Sequence, residues 1–205
     1  MTRPAFTVWI TGLPCSGKTT VGKSLTQVLQ QRGLPVQRLD GDEVRRELCS
    51  DLGFSRADRH TNNLRVAYVA NLLNKWGVVS VVCQVTPYAE TRAQLRRKIT
   101  EFVEVFLDCP LEQLINRDVK GHYKKALAGE IKNFTGINDP YEPPEDPEVA
   151  CNTDQLTVPQ TVTKITDYLE SAGLIGPAAD HDQEEPYTSE QEAVVKKRLS
   201  DLGYL

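Results

Sequence analysis

AFTVWITGLPCSGKTT, residues 5–20, is the stretch whose reading decides the fold. Ala5–Thr11 is an apolar run rich in strand formers, and Gly12, Pro14 and Gly17 break it. Beyond the break, Val21, Leu25, Val28 and Leu29 recur on one helical face as far as Gly33. The link between the two, Gly12-Leu-Pro-Cys-Ser-Gly17-Lys18-Thr19, fits the spacing G-x-x-x-x-G-K-[ST]. Its glycines let the backbone curl so that several N–H groups point inward at phosphate oxygens. The helix that follows adds unpaired N–H groups and the positive end of its dipole. Lys18 is expected to reach the β- and γ-phosphates of ATP, and the Thr19 hydroxyl to ligate Mg²⁺. Gly12, Pro14, Cys15, Ser16, Gly17, Lys18, Thr19 and Thr20 form the expected nucleotide set. Cys15 reads as a small side chain at a variable loop position, with a catalytic cysteine as the alternative.

Outward from this loop, strands and helices alternate. Leu34–Leu39 reads as a second strand, Asp42–Cys49 as a short helix and Arg56–Trp76 as a long one. Val78–Val85 (VVSVVCQV) is almost wholly apolar, as a strand covered on both faces of a parallel sheet should be. Glu90–Ile99 reads as a helix, Phe102–Leu107 as a strand and Leu111–Arg117 as a helical start. Residues 118–147 turn polar and carry three glycines and four prolines, which is long for a connection and reads as a lid. Val149–Thr153 closes the strands and Val158–Ser171 the helices. The expected fold is α/β, a three-layer P-loop arrangement with a parallel central sheet. Right-handed crossovers then gather the loops after the strands along one edge. The expected kinase domain spans residues 1–175. An acidic linker over 176–186 and an amphipathic helix over 187–205 follow.

Composition narrows the partners. With 205 residues, 40% hydrophobic, the chain suits one domain with a real core. A net charge of −4 supplies no basic field for nucleic acid. No apolar run approaches a membrane span. The 5 cysteines are odd in number, scattered and without a CxxC pair, which fits a reducing, cytoplasmic compartment.

Two further clusters face the same edge. Asp40-Gly41-Asp42 follows the second strand. One carboxylate can hold Mg²⁺ through water, while the other orients or deprotonates an acceptor hydroxyl. Asp42 can also serve as a helix cap. Arg45, Arg46, Arg56, Arg59 and Arg65 form a basic run beside it. It suits either an anionic acceptor or a solvated face paired to Glu43, Glu47 and Asp58. Phe54 reads as a core plug or as an aromatic face for a base.

Five segments carry a resemblance. They are GLPCSGKTT (12–20), LDGDEVRREL (39–48), DLGFSRADRHTNNLR (51–65), TPYAETR (86–92) and RDVKGHYKKALAGEIKNFTGINDPYEPP (117–144). Together they resemble the adenylyl-sulfate kinase family, in its order, over most of residues 5–170. The resemblance implies transfer of the γ-phosphoryl of ATP to adenosine 5′-phosphosulfate, with Mg²⁺, in a homodimer functionally linked to ATP sulfurylase. It implies that Asp42 addresses the 3′-hydroxyl and that Arg45, Arg59 and Asn62 meet the phosphosulfate end. Phe54 and Phe134 then sandwich the adenine. Lys132 lies near the phosphates, Thr135 in the adjoining turn, and Arg117 packs on the ATP adenine. One position departs: Thr86 stands where the family commonly has a Ser linked to a phospho-enzyme. The reading favours direct transfer, with Thr86 shaping its loop and bonding near Asp42 or substrate. The rival readings are another small-molecule P-loop kinase and a non-catalytic nucleotide-binding subunit.

Overall fold

The computed structural model describes residues 5–177, 196–198 and 200. Most of the expected linker and C-terminal helix lies outside these residues; positions 196–198 and 200 are helical.

Five strands run β1 (Thr7–Thr11), β2 (Val36–Asp40), β3 (Val79–Cys83), β4 (Phe102–Asp108) and β5 (Val149–Asn152). They form one sheet in the order β2-β3-β1-β4-β5, and every pairing is parallel. Among residues 5–177, seven helices surround it: α1 (Lys18–Gln31), α2 (Gly41–Glu47), α3 (Arg56–Lys75), α4 (Ala89–Lys98), α5 (Leu111–Asn116), α6 (His122–Leu127) and α7 (Val158–Ser171). Most expected boundaries lie within two residues of these.

Alternation along the central strand sorts the two faces. Val8 and Ile10 join Val21, Leu25 and Leu29 of α1 and Val162, Ile165 and Leu169 of α7 in one core layer. Trp9 points the other way, into a layer with Val66, Ala67 and Ala70 of α3 and Leu95 of α4. β1 and β3 are buried at every position, which is why their sequences read as unbroken apolar runs.

Local chemistry fixes the helix starts. Ser55 and Asp58 form a reciprocal capping box on α3, and Thr157 and Gln160 form one on α7. Each such cap contributes about 1 kcal/mol. Close approach explains two glycines. At Gly12 (φ +147°) a Cβ would lie 2.5 Å from the Leu107 carbonyl oxygen. At Gly22 it would lie 2.3 Å from Cys83 Sγ, so α1 packs on β3 only without a side chain there.

The 118–147 segment corrects the reading of a continuous polar loop, because it contains α6. The Asp118 carboxylate accepts from the N–H groups of His122 and Tyr123 at 2.9 and 2.6 Å and starts this turn of helix. Tyr123 is fully buried and donates its hydroxyl to the Pro14 carbonyl at 3.0 Å. Six residues with a single strong apolar anchor give too weak a period to stand out in sequence.

Candidate active site

The C-terminal ends of β1, β2 and β3 open onto a cavity of about 920 Å³. Its wall includes every residue expected to bind nucleotide or acceptor except Gly12 and Ser16. Those two lie buried beneath the loop.

Gly17 begins α1 in the left-handed region (φ +94°), and no side chain caps the helix. The first-turn N–H groups are therefore offered to the cavity. Lys18 folds back along the loop and donates to the carbonyl oxygens of Gly12 (3.0 Å) and Leu13 (2.6 Å). Desolvation pulls its ammonium down to about 8, against the opposing effects of Cys83, Cys15, Asp40 and Asp42. Cys15 also lines the cavity, yet burial and then Asp118 push its thiol up, opposite to what a thiolate nucleophile needs. That favours the loop-filling reading of Cys15.

At the acidic turn the two carboxylates divide. Asp40 is the cap of α2, accepting from the Asp42 N–H at 3.2 Å, so the cap expected at Asp42 belongs to its neighbour. The other oxygen of Asp40 accepts from the Thr19 hydroxyl at 2.8 Å and pairs with Arg38 at 2.7 Å. A hydroxyl and a carboxylate in contact at the head of α1 are hard oxygen donors, which fit Mg²⁺. Because Asp40 is already engaged, an ion here would bind through Thr19, waters and phosphate oxygens, with Asp40 behind. Asp42 is exposed and, among the described residues, its side chain accepts only from Lys120, at 2.8 Å. An exposed pair of this kind contributes under about 1 kcal/mol, so it parts easily.

The basic run separates into two groups. Arg46 pairs with Glu47, Arg65 binds Asp51 through two oxygens, and Arg56 lies over Tyr88. These three belong to the solvated-face reading. Arg45 and Arg59 line the cavity instead. Both lie over the face of Phe54, at 4.4 and 5.4 Å from its centroid. Arg45 donates to the Gly53 carbonyl; Arg59 donates to the carbonyls of Phe54 and Asn133. Phe54 is 55% exposed, so it is no core plug.

Phe134 forms a second aromatic wall, backed edge-on by Tyr123 at 4.9 Å. It makes no ring contact with Phe54. Thr135 is buried behind it and bonds Asp139, which also accepts from the Tyr88 hydroxyl at 2.9 and 3.0 Å. Lys132 lines the same wall. Arg117 reaches the cavity while its guanidinium donates to the Thr153 carbonyl at 2.9 Å, tying the end of α5 to the chain after β5.

One expectation is corrected. Thr86 does not bond Asp42. It is 1% exposed, accepts from Trp9 Nε1 at 2.8 Å and donates to Asn63 Oδ1 at 3.3 Å. With φ +42° it shapes the loop after β3, held by Arg92, which donates to its carbonyl. Sequence reasoning also missed several wall residues, among them Lys120 and Gln84. Lys120 was hidden in a lysine-rich segment. Gln84 carried a signal: a polar residue at the mouth end of an otherwise apolar buried strand.

The comparisons agree with this geometry. The family model described as Adenylylsulphate kinase matches residues 4–152. The adenylyl-sulfate kinase of Rippkaea orientalis is 50% identical over 175 residues, covering 85% of this chain and 97% of that protein. That of Synechococcus sp. (strain JA-3-3Ab) is 49% identical over 175 residues, covering 85% and 99%. Among solved structures, the Mycobacterium tuberculosis APS kinase CysC in complex with AMPPNP and APS superposes with a TM-score of 0.79. It is 41% identical, with 82% of this chain and 98% of that one covered. On the matched family model, these relatives and the shared fold, the chain belongs to the adenylyl-sulfate kinase family.

Proposed function

We propose that this protein transfers the γ-phosphoryl group of ATP to the 3′-hydroxyl of adenosine 5′-phosphosulfate, giving ADP and 3′-phosphoadenosine 5′-phosphosulfate. The observation that carries the reading is one continuous cavity. It joins an uncapped phosphate loop to two guanidiniums stacked on an exposed aromatic ring, with an exposed carboxylate, Asp42, on its wall.

ATP lies with its phosphates on the Gly12–Thr19 loop, where N–H groups and Lys18 hold the β- and γ-oxygens. Lys18 exchanges its two carbonyl partners for phosphate. Arg117 packs on the ATP adenine. The acceptor's adenine slots between Phe54 and Phe134, and its phosphosulfate meets Arg45 and Arg59. Mg²⁺, held at Thr19 with Asp40 behind it, would neutralise charge on the β- and γ-oxygens. Lys120 releases Asp42 to the substrate, and Asp42 accepts the proton of the 3′-hydroxyl as that oxygen attacks phosphorus in line. The inward-turned Thr86 hydroxyl supports direct transfer over a covalent relay. Residues 118–147 act as a lid, with Lys132 and Thr135 closing over the phosphates and excluding water. The chain works as a cytoplasmic homodimer, and an ATP sulfurylase supplies its acceptor.

The test is Mg²⁺-dependent ADP release from ATP with adenosine 5′-phosphosulfate, beside AMP, CMP, shikimate and gluconate. Release with the phosphosulfate alone, matched by a 3′-phosphorylated product, is expected. Asp42→Ala should still bind ATP and lose about a thousandfold in turnover. Release with a different acceptor, or near-normal turnover in that variant, would overturn the assignment.

A further inference from the structure

Two buried amides in the wall of the cavity are only half used. Asn62 on α3 is 1% exposed and Gln84 after β3 is 6% exposed. Asn62 Nδ2 donates to Gln84 Oε1 at 3.2 Å. Asn62 Oδ1 and Gln84 Nε2 are left without a partner, and both atoms are shielded from solvent. Turning both amides over exchanges the roles but not the result. One donor and one acceptor stay unspent on two bonded amides.

An unspent buried polar atom is costly, so a donor–acceptor pair in a binding wall points to what should sit there. An anion offers acceptors only and would strand the free carbonyl. An aliphatic group would strand both atoms. A hydroxyl both donates and accepts, and it satisfies the pair in either polarity.

Position selects which hydroxyl. A Cβ placed on Gly41 would lie 3.4 Å from Gln84 Oε1, so the amide pair sits directly under the turn that carries Asp42. A ribose presents two neighbouring hydroxyls. The one that attacks belongs to Asp42; its neighbour falls to the amides.

We infer that Asn62 and Gln84 form a docking site for the 2′-hydroxyl of the acceptor ribose, and that Gln84 is a positioning residue which presents the 3′-hydroxyl to Asp42. This rests on the proposed reaction and assigns the residue that fixes which alcohol reacts. Both side chains line the cavity, so the pair belongs to the wall that an acceptor would face.

The experiment is a two-by-two comparison of kcat/KM, pairing the native protein and Gln84→Met with adenosine 5′-phosphosulfate and its 2′-deoxy analogue. Methionine keeps the shape and removes the amide. In the native protein the 2′-deoxy acceptor should lose roughly tenfold or more. In Gln84→Met the same deletion should cost several-fold less, because one of the two partners is already gone. An unchanged KM for ATP reports an intact phosphate site. Gln84→Asn, which withdraws the amide by one methylene, serves if the first variant folds poorly and should behave alike. Equal losses in native and variant proteins, or a native protein indifferent to the 2′-hydroxyl, would overturn the inference and leave the reaction standing. Failure of both proteins to phosphorylate either acceptor would remove the reaction first and this site with it.

Discussion

Two arginine pairs in this molecule have opposite surroundings. On the outer side of the sheet, Arg92 lies 3.1 Å from Glu104, both nearly buried. Arg96 binds Glu148 through both oxygens and reaches Glu104 at 3.3 Å. Glu148 closes the set by accepting the Glu104 N–H at 2.7 Å. On the cavity wall the carboxylates Asp40 and Asp42 pair with Arg38 and Lys120 instead. Among the described residues Arg45 has no carboxylate ion pair, and that of Arg59 is a loose one to Asp139 at 3.8 Å. The charge chemistry follows. The Glu148 hydrogen bond raises Arg96, whereas burial lowers both Arg45 and Arg59, and Arg59 lowers Arg45 further. Two half-buried like charges short of counterions are held at a cost, and a bound anion relieves it. Arginines with their own carboxylates hold the fold; arginines kept short of them are where an anion belongs.

The sharpest break of this contrast is Glu104→Ala. It strands Arg92 in a buried position, and such losses run to about 3–5 kcal/mol. At this chain length that lowers Tm by roughly 10 °C. The KM for the acceptor should stay within about twofold in protein that remains folded. Calorimetry and steady-state kinetics on one preparation check both halves. A large change in acceptor KM with an unmoved Tm would merge the two pairs.

Sequence alone distinguished these sets poorly, for a physical reason. Arg45, Arg46, Arg56, Arg59 and Arg65 look alike as a string. What separates them is which carboxylate the fold brings near, and Asp51, Asp58 and Glu47 are spent on Arg65, Ser55 and Arg46. The sheet was legible because buried parallel strands need apolar runs, and the phosphate loop because a tight backbone curl demands glycine. α7 was read to the residue, since its capping box and apolar face agree. α6 was not, being held by Tyr123 on Pro14 and by Asp118 rather than by a periodic face. The inward turn of Thr86 was equally hidden. Its partners Trp9 and Asn63 are 77 and 23 residues away in sequence.

A smaller effect sharpens the cavity side. Arg59→Ala should raise the acceptor KM roughly thirtyfold while leaving the KM for ATP within about twofold, since charge-assisted bonds to an anion contribute about 1.5–3 kcal/mol. The variant also loses the bonds to Phe54 and Asn133, but an exposed loop contact of this kind should cost little Tm. Arg59→Lys keeps the charge without the fork and should recover part of the affinity. Acceptor binding unchanged in Arg59→Ala would assign this arginine to loop structure and put it with Arg92.

Lys18 is another cavity cation without a carboxylate ion pair among the described residues, and it differs in being able to lose its charge near neutrality. With the ammonium drawn down to about 8, the free protein loses that charge as pH rises through the same value. Phosphate oxygens favour the protonated form, so ATP should bind the low-pH state and in turn raise the pKa of Lys18. The kcat/KM for ATP, which reports free-protein groups, should therefore fall roughly eightfold between about pH 7.5 and about pH 9. The kcat/KM for the acceptor, taken at saturating ATP, should be flat over that window, because Lys18 is then held protonated and guanidiniums do not titrate there. A shared limb for both substrates would show that the acceptor site also depends on a titrating cation. No limb for ATP would show that the carbonyl oxygens of Gly12 and Leu13 already hold Lys18 charged, as Glu148 and Glu104 hold Arg96.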